Sequence, residues 1–307
     1  MNPTLKNTFS WSVSRDSVFR VCPRKYFFNY YGHWGGWLKD ASPRTRQVYV
    51  LKQLKNRATW IGQIVHDCIA RTLRNISRGV PVLGLDEILS ITRNLMRQDY
   101  RHSTKKRYWQ NPRGYCGLFE HEYDIEVTDA QWRNAAEDVD HCLKTFYQSE
   151  HYERFRRLPP AEFLEVEQFS SFYVDGFELK MKLDCAIRED ENVVVWDWKT
   201  GKKESDTGLS LQMGCYALYA KDTFRVELDK ILTRRFDLHR GILHEHSITQ
   251  RSLDEMITYV RGSISDMVAL LDNVEENTVR EDRFTKVERP EVCLTCNFLR
   301  VCQPRLP

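Results

Sequence analysis

Two aspartates and a lysine lie on predicted strands that the chain can bring together. Asp184 lies in one predicted strand, and Asp197 and Lys199 lie two residues apart at the end of the next. Because side chains alternate along a strand, Asp197 and Lys199 share one face, about 6–7 Å apart. If residues 189–192 form an antiparallel turn, Asp184 lies beside Asp197.

This set of residue types predicts metal-dependent hydrolysis of a phosphate ester. Hard divalent cations prefer oxygen ligands, and Mg²⁺ in particular binds one or two carboxylates together with substrate phosphate. A neighbouring lysine can orient or deprotonate the attacking water, or offset negative charge that develops at phosphorus. The alternative for an isolated Asp-x-Lys is a surface ion pair on a strand, worth about 0–1 kcal/mol.

Further motifs flank these residues on both sides along the chain. His66 lies in a predicted helix, four residues after Gly62. Gln212 and Tyr216 are four residues apart in another predicted helix, so both project from the same helix face. Each of these patterns is ordinary when it occurs alone.

Together the motifs occur in a fixed order along the chain: Gly62…His66, Asp184, Asp197-x-Lys199 and Gln212-x-x-x-Tyr216. This order resembles the RecB-type branch of the PD-(D/E)XK nuclease superfamily, and most closely its iron–sulfur members, the AddB-type nucleases, CRISPR-associated exonucleases and exonuclease V group. The resemblance extends from about residue 9 to 302, although the helical region of about 77–160 matches only in character. One departure is Met181, because many relatives have a glycine three residues before the first aspartate.

The resemblance implies a role for each motif residue. Four groups would bind Mg²⁺ or Mn²⁺: His66, Asp184, Asp197 and the backbone carbonyl of Trp198. Lys199 would be the catalytic lysine beside the catalytic carboxylates Asp184 and Asp197, and Gln212 and Tyr216 would help to position the nucleic acid strand. Some relatives carry a glutamate on the preceding strand, and Glu165 or Glu167 would serve here, since alternation places both on one face; we select Glu167.

Four cysteines form a second candidate metal site. Cys293, Cys296 and Cys302 follow a C-x₂-C-x₅-C pattern, and Cys22 is the natural fourth ligand. The resembled nucleases use this one-plus-three arrangement to hold a [4Fe–4S] cluster, and such ligation is chemically ordinary. Structural zinc and unligated thiols are the alternatives. The remaining five of the nine cysteines are scattered, and we expect them to be buried thiols.

Positive charge is concentrated in two stretches of the chain. Residues 20–57 contain nine lysines and arginines and one acid, and residues 97–113 contain six and one. Both stretches include aromatic residues, a combination that suits single-stranded nucleic acid because cations neutralise phosphates while rings stack on bases. We expect Arg24 and Lys25 to contact nucleic acid. The alternative is a solvated helix face with core aromatics.

Hydrophobic periodicity predicts a helical region followed by an α/β core. Predicted helices cover about 12–31, 60–76, 85–100, 129–150, 209–221 and 252–271, and predicted strands cover about 163–174, 178–188, 193–198, 230–236 and 241–248. The turn Asp175-Gly176 joins the first two strands. The resemblance implies a restriction-endonuclease-like core, with a central mixed sheet flanked by helices, a helical insertion and an iron–sulfur-stapled terminal region.

We predict a single domain over residues 1–307. It comprises a basic arm (about 1–60, with Cys22), a helical region (77–160), a catalytic core (161–250) and a cysteine-containing tail (290–307). Forty-one per cent hydrophobic residues and 29% charged residues exclude a disordered chain. Because the sequence has neither a long apolar run nor an N-terminal signal peptide, we expect a cytoplasmic protein without membrane contact.

These observations predict a metal-dependent DNA nuclease. We expect an exonuclease that prefers single strands and acts in DNA repair, recombination or defence, with DNA and a helicase or integrase-type protein as partners. The main alternative is a catalytically silent nucleic-acid-binding subunit of a helicase–nuclease or integrase complex, which the complete aspartate and lysine set disfavours. A third alternative is a zinc-stapled interaction protein without a nucleic-acid role.

Overall fold

The computed structural model describes residues 6–202 and 209–303, and residues 209 and 210 without their side chains. The first five residues of the predicted arm and the last four of the predicted tail therefore lie outside the described residues. The described chain folds into a five-stranded mixed sheet with helices on both faces. The predicted α/β class is confirmed.

The predicted helical segment over about 12–31 is confirmed, but Cys22 divides it. The segment forms α1 (Val13–Val21), α2 (Pro23–Phe27) and a π-helical turn (Phe28–Gly32). The residue before a proline is forced into an extended conformation, and Cys22 accordingly has φ −163° and ψ 113°. The following helix α3 covers Pro43–Lys52.

The predicted helical region and the helix before it form a layer that packs on one face of the sheet. The preceding helix is α4 (Arg57–Ser77), and the helices of the region are α5 (Leu85–Thr104), α6 (Phe119–Glu122), α7 (Asp129–Tyr147) and α8 (Glu150–Arg157). The predicted helix over 129–150 divides at Ser149, whose side chain accepts from the Tyr152 N–H and so caps a new helix.

The sheet contains strands β1 to β5 in sequential order. They cover Phe163–Val174, Phe177–Glu189, Asn192–Lys199, Ile231–Asp237 and Ile242–His246, respectively. Neighbouring strands are antiparallel except β3 and β4, which are parallel because helix α9 (Leu209–Phe224) connects them as a crossover. Asp175 and Gly176 both have positive φ, as the predicted β1–β2 turn requires.

Each face of the sheet packs against its own helical layer. On β3, Val194, Trp196 and Trp198 face the layer of α4, α5 and α7, whereas Val193 and Val195 face the opposite core. That second core contains α1, α9 and α10 (Gln250–Val268). The predicted site residues therefore lie where β2 and β3 emerge between two helical layers.

The C-terminal segment returns to the N-terminal helices. Its short helices are α11 (Pro290–Cys293) and α12 (Leu299–Cys302). The Phe298 ring packs 5.2 Å from Phe28, and Arg24 donates to the Phe284 carbonyl oxygen at 2.7 Å. Among the described helices, none combines the length and apolar character needed to cross a bilayer.

Candidate metal centre

Three side chains from three different elements meet at the edge between the helical layer and the sheet. His66 on α4 places Nδ1 3.0 Å from Asp184 Oδ1 on β2 and 3.5 Å from Glu167 Oε1 on β1. The ligand atoms of these three residues all lie within 4.8 Å of one another. Both carboxylates are buried, whereas His66 is half-buried.

Local structure explains why these three residues converge. Helix α4 begins at the cap residue Asn56 and packs its apolar face on β1 and β2, so that His66 faces both strands. The β1–β2 register pairs Val166 with Cys185 and Gln168 with Leu183. Glu167 and Asp184 lie between these two pairs and thus directly opposite each other.

Glu167 and Glu165 do not share a face, contrary to the prediction from strand alternation. Glu167 contacts His66 and forms an ion pair with Lys182. Glu165 instead accepts hydrogen bonds from Tyr219 and Ser170. The cause is the backbone of Glu167, whose φ of +50° lies in the left-handed region and disturbs the regular alternation.

Three carboxylates favour a positive charge at His66. Burial alone would lower the pKa of His66, but Asp184, Glu167 and Asp197 outweigh burial and raise the pKa to about 10. Burial alone would raise the pKa of Glu167, but hydrogen bonds from His66 and Lys182 lower it. A metal ion bound at this cluster would replace the imidazole proton and supply the positive charge in its place.

The donor set fits a hard divalent cation. Two carboxylates and one imidazole are nitrogen and oxygen ligands that suit Mg²⁺ or Mn²⁺, and they are held by a helix and two strands. The other oxygen of Asp184 accepts from the backbone N–H of Trp198 at 2.7 Å, which fixes the orientation of the carboxylate. Trp198 itself is buried with its indole in the core.

The predicted lysine lies beside the second aspartate. Asp184 and Asp197 occupy opposite positions on β2 and β3, one step beyond the paired residues Cys185 and Trp196. Lys199 Nζ lies 2.7 Å from Asp197 Oδ2. Asp197 is not a member of the three-residue ligand cluster but adjoins it, since its charge acts on His66.

Gln212 and Tyr216 complete the surroundings of the lysine. Lys199 donates to Gln212 Oε1 at 3.0 Å, Gln212 donates to the Tyr216 hydroxyl at 2.5 Å, and that hydroxyl lies 3.5 Å from Asp197 Oδ1. Gln212 and Tyr216 also line a cleft bounded by Trp11 and β2. The lysine is thus held in place from two sides.

Burial controls the protonation of the groups around the lysine. It raises the pKa of Asp197 to about 6, with Lys199 acting in the opposite direction. Burial, followed by the charges of Asp197 and Asp184, raises the pKa of Tyr216 well above its ordinary value. The phenol therefore remains a hydrogen-bond donor at neutral pH.

The four predicted cluster cysteines meet in one cavity between the chain termini. Cys22, Cys293, Cys296 and Cys302 all line it, together with apolar side chains such as Phe28 and Phe298. Burial raises the pKa of Cys296 to about 11 and that of Cys302 above its ordinary value. Cys296 therefore stays protonated at neutral pH unless a metal binds it.

Most of the first basic stretch has an internal structural role. Arg24 pairs with Glu281, Arg44 with the same carboxylate, and Arg20 with Asp266. Lys25 lines the cysteine cavity. These contacts hold the N-terminal helices to the C-terminal segment, so they give no support to Arg24 and Lys25 as nucleic-acid contacts.

Several aromatic residues of the two basic stretches are buried in the core. Tyr26, Tyr31 and Tyr49 are buried, and Tyr26 packs edge-on against Phe19. In the second stretch, Tyr108 is buried and donates to Glu122, whereas Trp109 is 37% exposed. The buried rings cannot stack on bases, and base stacking remains a prediction for the other rings of these stretches.

Sequence reasoning missed two residues beside the centre. Lys182 forms an ion pair with Glu167 and lies 5.4 Å from the ring centroid of the exposed Phe169. Arg235 on β4 is buried opposite Asp197 in the parallel register, and its Nε lacks a hydrogen-bond partner within the described part of the chain. For Lys182 and Arg235, strand alternation around Phe169 and Asp197 is the only sequence signal that indicates a position near the centre.

Residues 10–303 match the sequence profile of the PD-(D/E)XK nuclease superfamily. The chain therefore belongs to this superfamily. No curated protein matches the chain.

Two solved structures show a distant likeness to the chain. One is the Eubacterium rectale protein named "Putative exonuclease", with 12% identity, 93% of this chain and 92% of the other covered, and a TM-score of 0.42. The other is the protein named SSO0001, with 17% identity, 62% and 80% covered, and a TM-score of 0.30. Similarity at this level carries no argument about activity, so the family assignment depends on the sequence profile and the fold.

Proposed function

We propose that this chain is a divalent-metal-dependent deoxyribonuclease of the RecB-like iron–sulfur branch, an exonuclease that prefers single strands. The observation that carries the proposal is the meeting of His66, Glu167 and Asp184 beside the Asp197–Lys199 pair. Membership of the nuclease superfamily supports it. The proposal includes a role in DNA repair, recombination or defence. It also includes a helicase or integrase-type protein as a partner.

His66, Glu167 and Asp184 would hold Mg²⁺ or Mn²⁺, with Asp197 and the Trp198 carbonyl as further candidates. When bound, such an ion supplies positive charge that polarises the phosphodiester and acidifies the attacking water. Asp197 and Gln212 hold the Lys199 ammonium from two sides, so that it is oriented before substrate binds.

Lys199 and its neighbours define the part of the mechanism that belongs to this chain. The ammonium can offset the negative charge that develops on the phosphate oxygens, and it acts from a half-buried position beside the buried Asp197. Tyr216, which keeps its proton, can donate to a phosphate oxygen from the same helix face as Gln212. Gln212 and Tyr216 line the cleft beside β2.

The first experiment replaces Lys199 by alanine and follows digestion of end-labelled single-stranded DNA in Mg²⁺ or Mn²⁺. We expect cleavage to be abolished while DNA binding is retained, because Lys199 acts on the transition state. Lys230→Ala is the matched control, since that lysine is exposed and pairs with the exposed Glu191. Cleavage by Lys199→Ala at the parent rate would remove Lys199 from the mechanism, and a parent inactive with both metals would favour the silent-subunit alternative.

We propose a [4Fe–4S] cluster in the cysteine cavity rather than zinc. Cys22, Cys293, Cys296 and Cys302 all line this cavity. They match the one-plus-three arrangement by which the resembled nucleases hold a [4Fe–4S] cluster, and ligation of such a cluster by four cysteines is chemically ordinary.

The cluster proposal is tested by anaerobic purification followed by iron, sulfide and zinc assays and an absorbance spectrum. We expect absorbance at about 400 nm and four irons per chain. Cys22→Ser should lose both the colour and the iron, whereas Cys116→Ser, outside the cavity, should keep them. A colourless protein that contains one zinc ion per chain would support the zinc alternative.

A further inference from the structure

Two large aromatic side chains on β1 are unusually exposed. Phe169 is 82% exposed and Tyr173 is 68% exposed, whereas Phe172 between them is buried. An exposed apolar patch that is surrounded by polar residues can mark a binding surface.

The register of the β1–β2 hairpin defines a face with alternating character. Phe169 lies opposite Lys182, Ser171 opposite Lys180, and Tyr173 opposite Glu178, whose carboxylate lies 3.2 Å from Lys180 Nζ. Cross-strand partners point to the same side of a sheet, so rings and lysines share this face. We call these six residues the hairpin face.

The hairpin face continues directly from the metal centre. Lys182 contacts the carboxylate of Glu167 on one side and lies 5.4 Å from the Phe169 ring centroid on the other. Successive same-face positions on a strand are about 7 Å apart, which places Phe169 one position from Glu167 and Tyr173 about 13 Å farther along.

We propose that the hairpin face binds the single-stranded part of the nucleic-acid substrate next to the scissile bond. Phe169 stacks on a base, Lys182 and Lys180 contact phosphates, and Tyr173 stacks on a base farther from the centre. This proposal depends on the proposed nuclease function. It follows from the order of carboxylate, lysine, ring and lysine along one exposed face, because a base-stacking ring beside a cation suits single strands of any sequence.

The experiment measures binding of labelled single-stranded DNA by fluorescence anisotropy at fixed salt, in the Lys199→Ala background so that the strand stays intact. We expect Phe169→Ala and Phe169→Leu to weaken binding by about 5- to 150-fold, the range for loss of one stacking ring. Phe169→Trp should bind within about twofold of the parent, which in this experiment is the Lys199→Ala protein, because tryptophan keeps a ring. Ile91→Ala, which removes an exposed apolar side chain on α5, should bind like the parent.

The outcomes separate this proposal from the nuclease function. If the parent binds single strands and Phe169→Ala binds equally well, the hairpin face is not the contact surface although the nuclease function stands. If the parent binds no single strands, both proposals fail. Equal weakening by Phe169→Trp and Phe169→Ala would also overturn stacking. Sedimentation of the parent should show a monomer, and a dimer that Phe169→Ala dissociates would identify a second copy of the chain as the occupant.

Discussion

Glu167 adopts a left-handed backbone conformation inside a strand, and comparison of two substitutions there tests this geometry. Its φ is +50°, although its neighbours on β1 pair regularly with β2. Glu167→Ala and Glu167→Gly both remove the carboxylate and its contacts to His66 and Lys182. The two variants therefore differ only in how readily residue 167 adopts the left-handed conformation.

The expected difference in unfolding free energy follows from two opposing effects. At a regular strand position, glycine is less stable than alanine by about 0.5–1 kcal/mol, since its unfolded chain has more freedom. The left-handed conformation costs alanine about 1–2 kcal/mol and glycine almost nothing. At residue 167, Glu167→Gly should thus be more stable than Glu167→Ala by about 0.8 kcal/mol, which is the difference between the midpoints of the two effects and the reverse of the usual order.

The assay is urea unfolding of both variants in EDTA, under anaerobic conditions and at matched iron content. The corresponding pair at Ser171, an exposed position in a paired part of β1, is the control. There, Ser171→Ala should be more stable than Ser171→Gly by about 0.5–1 kcal/mol. If Glu167→Ala equals or exceeds Glu167→Gly in stability, residue 167 does not hold the strained conformation.

The same two variants test the role of the carboxylate. Because neither has an oxygen ligand at residue 167, both should lose Mn²⁺ affinity to the same extent in calorimetric titrations. Parent-like Mn²⁺ binding by both variants would show that Glu167 is not a ligand.

A Cβ at Gly36 would lie 2.4 Å from the Tyr49 side chain, so Gly36→Ala should destabilise by about 1–3 kcal/mol in urea unfolding. Gly262→Ala, in open space on α10, should stabilise by about 1 kcal/mol, and equal effects would contradict the predicted crowding. Burial lowers the pKa of His33 to about 3, so its contribution to stability is present above pH 6.5 and is lost as the pH falls towards 3. The parent should therefore lose about 2 kcal/mol more than His33→Gln between pH 7.5 and 5 in urea unfolding, and parallel losses would contradict the shift. Arg235→Met removes a buried guanidinium and should raise the unfolding free energy by about 1 kcal/mol. A decrease of the unfolding free energy by about 1 kcal/mol would instead show that the guanidinium has a partner.

Local sequence patterns determined the elements that carry the candidate site. The turn at Asp175-Gly176, the β-branched and aromatic run before Lys199 and the amphipathic pattern around His66 each depend on neighbouring residues. Alternation along β3 similarly placed Asp197 and Lys199 on one face. Such patterns can be recognised in a sequence because backbone geometry fixes the periods of strands and helices.

The choice between Glu165 and Glu167 depended on a backbone irregularity that alternation could not predict. A left-handed residue at 167 sends one carboxylate to His66 and the other to Tyr219 on the opposite face. For a related reason, composition could not predict which rings of the basic, aromatic-rich N-terminal stretch are buried. Composition does not distinguish a ring that stacks on a base from Tyr26, which packs in the core.

The sequence by itself determined which residue types were available for metal binding and phosphate chemistry, because those properties belong to single side chains and short spacings. Tertiary structure alone decided which of them meet. His66 and Asp184 are 118 residues apart in the chain, and Cys22 approaches the C-terminal cysteines across about 270 residues. Contacts over such separations form only when whole helices and strands pack together, and that packing depends on the summed burial of side chains far from the site.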